Sequence, residues 1–139
     1  MIGVSHRSGP LVVIRVRSPV TMDELDAFAI NTRKVVASIR GPVVFCSDLR
    51  GAQLMSDALV EKIMASMRRE NPRVERSALL LPTKSAVLAL QFERIIREVG
   101  NPRRRSFRDV SAAIDWLSEV LSPDEQKSLR AFVAEHTEE

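Results

Sequence analysis

Three short apolar runs, LVVIRVR at 11–17, PVVFCSDL at 42–49 and SALLLP at 77–82, are each followed by a stretch whose apolar residues recur at helical spacing. Short β-branched runs read as strands, and the second and third, apolar on consecutive residues, as strands covered on both faces. After the first run, Leu25, Phe28, Ala29, Thr32, Val35, Val36 and Ile39 form one helical face that stops at Gly41-Pro42. After the second, Leu59, Val60, Ile63, Met64 and Met67 form another stripe, fading at Arg68-Arg69-Glu70-Asn71-Pro72. SAVLALQFERIIREVG is the third helix, with Gly100-Asn101-Pro102 as its stop. MIGVSHR reaches back to 11–17 through the Ser8-Gly9-Pro10 turn, and RRRSF reads as a short edge strand. VSAAIDWLSEVL behind Asp109 and a segment at roughly 123–136 complete the pattern as helices. The order β-β-α-β-α-β-α-β-α-α calls for right-handed crossovers and a mostly parallel sheet flanked by helices, the α/β class.

Helix starts are well marked. Thr21 with Glu24, and Ser122 with Glu125 around Pro123, are capping boxes that satisfy free amides. Ser56 and Asp109 are side chains of the N-cap type. The last helix carries Leu129, Phe132 and Val133 on an otherwise polar segment, a stripe that must cover either its own core or a second subunit's.

At 139 residues, with no linker, repeat or low-complexity segment, the chain is the size of one domain. Residues 1–121 are expected to form it, with 122–139 as a helical appendage. The single cysteine, Cys46, excludes an intrachain disulfide and fits a reducing compartment. The best apolar stretch, SALLLPTKSAVLALQF, is broken by Pro82 and Lys84, and the N-terminus lacks a signal-peptide pattern. A cytoplasmic protein without a transmembrane segment is the expectation.

The chain offers little familiar chemistry. It has neither GxGxxG nor GxxxxGK[ST], so no backbone phosphate cradle is encoded. A phospho-receiver needs an acidic pair after its first strand, where Arg15, Arg17 and Ser18 stand instead. His6 and His136 lie near opposite termini with no ligand neighbour at metal spacing. Cys46, in mid-strand, reads as a small core residue. No cofactor, metal or catalytic residue is expected.

Arginines cluster twice: Arg94, Arg97, Arg103, Arg104, Arg105 and Arg108, and again Arg68, Arg69, Arg73 and Arg76. A basic patch of Arg97, Arg103, Arg104, Arg105 and Arg108 is of the kind that neutralises nucleic-acid or lipid phosphates. Interleaved acids (Glu70, Glu75, Glu93, Glu98, Asp109) and the lack of tyrosine favour solvated helix ends and an edge strand over nucleic-acid binding. The acidic tail, Glu135, Glu138 and Glu139, is a further occupant for these arginines.

DLRGAQLMSDALVEKIM resembles the strand-turn-helix of STAS domains, the anti-sigma-factor-antagonist fold. Asp48 and Leu49 match the strand end, Gly51 the glycine, and Leu54-Met55 the apolar pair before the helix. RRRSFRDVSAAIDWL is similar to the closing strand and helix of the SpoIIAA-like branch, so that the likeness spans about residues 2 to 121. It implies a non-enzymatic bacterial signalling domain that works by protein–protein contact. In signalling relatives a serine at the second helix start is phosphorylated; here that register holds Asp57, with Ser56 one position early and Ala58 and Leu59 following. Either Ser56 is the modified residue or a permanent charge replaces the switch. An aspartate in a first helical turn is also what the helix dipole favours.

These readings converge on the turn 50 to 57 and the exposed face of the second helix as the contact surface. Arg50, Gly51, Gln53, Leu54, Met55 and Asp57 are its expected partner-binding residues, and the partner is another protein or a second copy in a homodimer. Carriage of a lipid or other small apolar ligand is the alternative, suggested by AVLALQFERII, apolar around much of its circumference.

Overall fold

The computed structural model describes residues 1–136; Thr137, Glu138 and Glu139 lie outside the described residues, and with them two of the acidic-tail positions. The strands are β1 (Ile2–Ser8), β2 (Leu11–Arg17), β3 (Val43–Gly51), β4 (Val74–Leu80) and β5 (Arg104–Phe107). The helices are α1 (Met22–Ala37), α2 (Asp57–Glu70), α3 (Ala86–Val99), α4 (Val110–Ser118) and α5 (Pro123–Ala134), with a short 3-10 turn at Asn71–Arg73. This is the expected order. Both capping boxes are formed, at Thr21 and at Ser122. Gly100 ends α3 at φ +75°, where any side chain would be strained.

The five strands lie in the order β1-β2-β3-β4-β5, β1 antiparallel to β2 and all other pairs parallel. Because each crossover steps one strand in the same direction with the same hand, α1, α2 and α3 fall on one face. α4 and α5 fold back onto the other. Strand order never reverses, so the sheet has no topological switch point, the crevice where open α/β sheets usually hold nucleotides.

Strand alternation sorts side chains between the faces. In β2 and β3, Leu11, Val13, Val44 and Cys46 face α4 and α5, packing with Ala113, Leu117, Leu129 and Phe132. Val12, Val16, Val43, Phe45 and Leu49 face α1, α2 and α3. Seven consecutive residues of β3, Val43 to Leu49, are buried, as expected of a central strand. The Leu129-Phe132-Val133 stripe of α5 covers the chain's own sheet: Leu129 is 0% and Phe132 2% exposed.

Leu129→Ala is therefore expected to destabilise the protein by about 2–5 kcal/mol through lost transfer energy and a residual cavity. Chemical denaturation of both proteins measures it; a change below about 1 kcal/mol would mean that α5 contributes little to the core.

Candidate functional site

Strand register carries a charge into the interior. Val44, Cys46 and Asp48 point to the same side of β3, so the inward row ends on a carboxylate that is 1% exposed. A buried charge must be paired. Asp48 Oδ1 accepts hydrogen bonds from the Arg50 backbone N–H (3.1 Å) and Nε (2.8 Å), and Oδ2 from Arg50 Nη2 (3.2 Å). Arg15, directly across in β2, brings its Nε to 3.5 Å, and His136 its Nδ1 to 3.7 Å. Burial pushes the Asp48 carboxyl up, but the Arg50 hydrogen bonds outweigh it and hold the group below the usual carboxylate range.

The same two arginines close the end of α5. Arg15 Nη2 donates to the Phe132 carbonyl (2.8 Å) and Arg50 Nη2 to that of Val133 (2.9 Å), carbonyls of the last turn that need partners from outside the helix. Arg15 also lies 4.3 Å over the Phe132 ring, and Glu135 binds Arg7 through both oxygens at 2.9 and 2.8 Å. Glu135 thus pairs with Arg7 and Arg15 rather than with the arginine clusters. Spacing along the chain does not foretell this network: Arg50 stands two residues from Asp48, but Arg15 lies 33 residues away and Arg7 pairs with Glu135 across 128. The cue was a charged residue, Asp48, on the inward phase of an apolar strand.

The turn that follows is built by backbone. Gln53 N–H donates to Ser18 Oγ (2.7 Å), and Ala52 N–H to the Leu49 carbonyl (3.0 Å). Gln91 of α3 holds Met55 at both ends: its Oε1 accepts from the Met55 N–H (3.1 Å) and its Nε2 donates to the Met55 carbonyl (2.9 Å). Gly51 packs closely on Arg17, whose Cγ would stand 3.2 Å from any added Cβ. Ser56 caps α2, its Oγ accepting from the Leu59 N–H (3.4 Å), and Asp57 is exposed in the first turn.

Side-chain directions divide the expected contact residues. Gln53, Ser56 and Asp57 are exposed and Leu54 is 61% exposed, but Met55 is buried at 7%. Met55 is corrected from contact residue to core residue, because the paired bonds from Gln91 turn its side chain inward. Arg50 is held by Asp48 and Val133. What the sequence reading missed lies on α3: Val87 is 62% and Leu90 59% exposed. Val87, Leu90, Gln91 and Arg94 share an arc of about 100° on that helix, and Gln91 ties the arc to the turn bearing Leu54. The signal was present in AVLALQFERII, whose apolar residues exceed what one buried face needs.

The basic patch separates. Arg97, Arg103, Arg105 and Arg108 are exposed, with Arg108 bonded to Glu93 (3.1 Å) and Arg105 4.9 Å over the Trp116 ring. Arg104 is corrected: it is 7% exposed, pointing between sheet and helices, where it donates to Asn71 Oδ1 (2.9 Å), Ser77 Oγ (3.3 Å) and the Met67 carbonyl (2.9 Å). Alternation along β5 forces one arginine of the run inward. Burial lowers its pKa to about 10, with nearby Glu70 acting against the fall. Burial likewise raises the Cys46 thiol to about 12, far from the thiolate a nucleophile requires.

Among the described residues, no cluster of three or more His, Cys, Asp or Glu is arranged to hold a metal ion. No helix among them is long and apolar enough to cross a membrane.

No family model matches the sequence, and no curated protein does. Structure decides where sequence does not. An uncharacterized protein of the DUF3478 family from Shewanella loihica PV-4, with a SpoIIAA-like fold, superposes at a TM-score of 0.64, over 84% of this chain and 93% of that one, at 16% identity. The fold is SpoIIAA-like. The expected α/β architecture is therefore the observed one.

Within this SpoIIAA-like sheet, Asp48 makes a pH-dependent contribution with a definite sign. Its folded pKa lies below the unfolded value of about 3.9. The stabilisation is then complete above the unfolded value and is lost as pH falls through the folded one. Asp48→Asn, which leaves Arg15 and Arg50 without their buried counter-charge, is expected to cost roughly 3–5 kcal/mol at pH 7. The gap to wild type should narrow below about pH 4. Denaturation at pH 7 and pH 3 checks this; an equal gap at both pH values contradicts it.

Proposed function

We propose that this chain is a non-enzymatic regulatory or scaffolding domain that acts by protein–protein contact, through the turn 50 to 57 together with the outer arc of α3. The observation that carries the reading is the grouping of Leu54, Val87 and Leu90 about the Gln91–Met55 tie, each roughly three-fifths exposed. Large apolar side chains gathered on one surface are characteristic of interaction sites. Charged groups rim them: Asp57 and Glu61 of α2 lie close enough to Arg94 to act on its charge. An apolar centre with a charged edge is the usual anatomy of a protein interface.

The buried Cys46, the absence of a phosphate cradle and the sequential strand order leave this surface, rather than a reacting centre, as the distinctive feature. The resemblance to STAS signalling domains points the same way, and the contact would be made in the cytoplasm. Ser56 is the residue through which such a contact would be regulated: it is exposed at the start of α2, between the exposed Leu54 and Asp57 in sequence, with its Oγ capping the helix. Phosphate there would set a second negative charge beside Asp57 at the edge of the apolar group. The partner is another protein, a second copy of the chain included.

Affinity capture from the native cell and light scattering of the purified protein test the reading together. Leu54→Asp with Leu90→Asp is expected to weaken partner capture, or self-association, at least about tenfold. Exposed substitutions of this kind should leave unfolding free energy within about 0.5 kcal/mol. Unchanged capture by the doubly substituted protein, or a monomer that captures nothing in its wild-type form, would remove the proposal.

A further inference from the structure

The face of the sheet beneath α1, α2 and α3 is incompletely packed. Its buried apolar residues form two separate clusters, one around Val36, Phe45 and Val74 under α1, the other around Leu49, Leu79 and Phe92 under α2 and α3. Between sheet and helices lies a cavity of about 60 Å³, walled by members of both, among them Phe45, Leu49 and Phe92. Interiors are ordinarily close-packed, and a void forfeits the contacts of every atom that lines it.

Polar side chains meet this space. Thr32, Ser66, Glu70 and Arg104 all line it, and each is more than nine-tenths buried. Thr32 Oγ1 has no hydrogen-bond partner among the described residues, a costly state for a buried hydroxyl. Glu70 lies near enough to Arg104 to influence its charge, yet the Arg104 donors go instead to Asn71, Ser77 and the Met67 carbonyl. An apolar chamber with an orphan hydroxyl and two buried charged groups is incomplete as a core and complementary as a site.

We propose that the cavity binds a small uncharged amphiphile, an apolar body of roughly two to four carbons bearing one hydroxyl or amide head. Charge selects the head. Arg104 and Glu70 already sum to zero, so a carboxylate would leave Glu70 unbalanced and an ammonium would leave Arg104 so. A hydroxyl or amide both donates and accepts, and can serve Thr32, Glu70 and Arg104 without added charge. Volume selects the body. The cavity holds several times the roughly 10–15 Å³ that one water needs but less than half the roughly 150 Å³ that takes a benzene ring. A long acyl chain does not fit, but a short tail does, beside Ile63 and Met67, which line the space and are themselves only half-buried. The site does not rest on the contact surface proposed above, although Met55, whose backbone Gln91 holds in that turn, lines the cavity as well.

Methyl NMR of the full chain, titrated with 1-butanol, butyramide, butyrate and butylammonium, tests it. The alcohol and amide should give saturable millimolar shifts at the Met55, Ile63 and Met67 methyls, with the two ions at least about tenfold weaker. Thr32→Val should reduce alcohol affinity about fivefold or more without lowering the apo melting temperature, since the hydroxyl it removes has no partner to lose. No saturable shift with any probe, which would mean a cavity holding water alone, overturns the proposal. So does preference for a charged probe, or a Thr32→Val protein that melts earlier while binding butanol unchanged.

Discussion

The buried Asp48 carboxylate is the constraint on which the rest turns. β3 is covered on both faces, and its inward row on the α4 and α5 side runs from Val44 through Cys46 to an acid. A charge in that position is tolerable only with cations beside it, and Arg15 and Arg50 supply them from the neighbouring strand and from two residues along. Their remaining donors then meet the last carbonyls of α5. One buried charge thus sets two arginine rotamers, and those fix where the final helix ends. The interior of the closed face is apolar up to that point and ionic at its rim.

The opposite face follows another logic. Three crossover helices cover it, but α2 and α3 meet the turn after β3 with apolar side chains left outside and polar ones left within. Met55 joins the two regions: its backbone is clamped by Gln91 in the turn, and its side chain lines the cavity. Sequential strand order leaves this fold without the crevice of a doubly wound sheet.

Much of the architecture was legible in sequence because local signals agreed. Thr21-Glu24 and Ser122-Glu125 form the reciprocal bonds their spacing implies, and Gly100 takes the positive φ its place after α3 demands. Period-two and period-3.6 patterns sort strands from helices without tertiary knowledge. Side-chain direction in irregular backbone was less legible. Leu54 and Met55 are adjacent apolar residues on one turn, and only a bond to Gln91, 36 residues away, determines which faces out. Arg104 and Arg105 are equally basic, yet strand alternation buries one and stacks the other on Trp116. The Asp48 network was beyond reach, since Arg7, Arg15, Asp48, Glu135 and His136 meet only once the sheet and α5 have docked.

Native-state amide hydrogen exchange tests the central claim, that the Asp48 network locks the last helix into the same cooperative unit as the central strand. The account expects the slowest amides of α5 to exchange with those of β3, by a single global opening. Exchange of α5 through an earlier opening, while β3 stays protected, would contradict it.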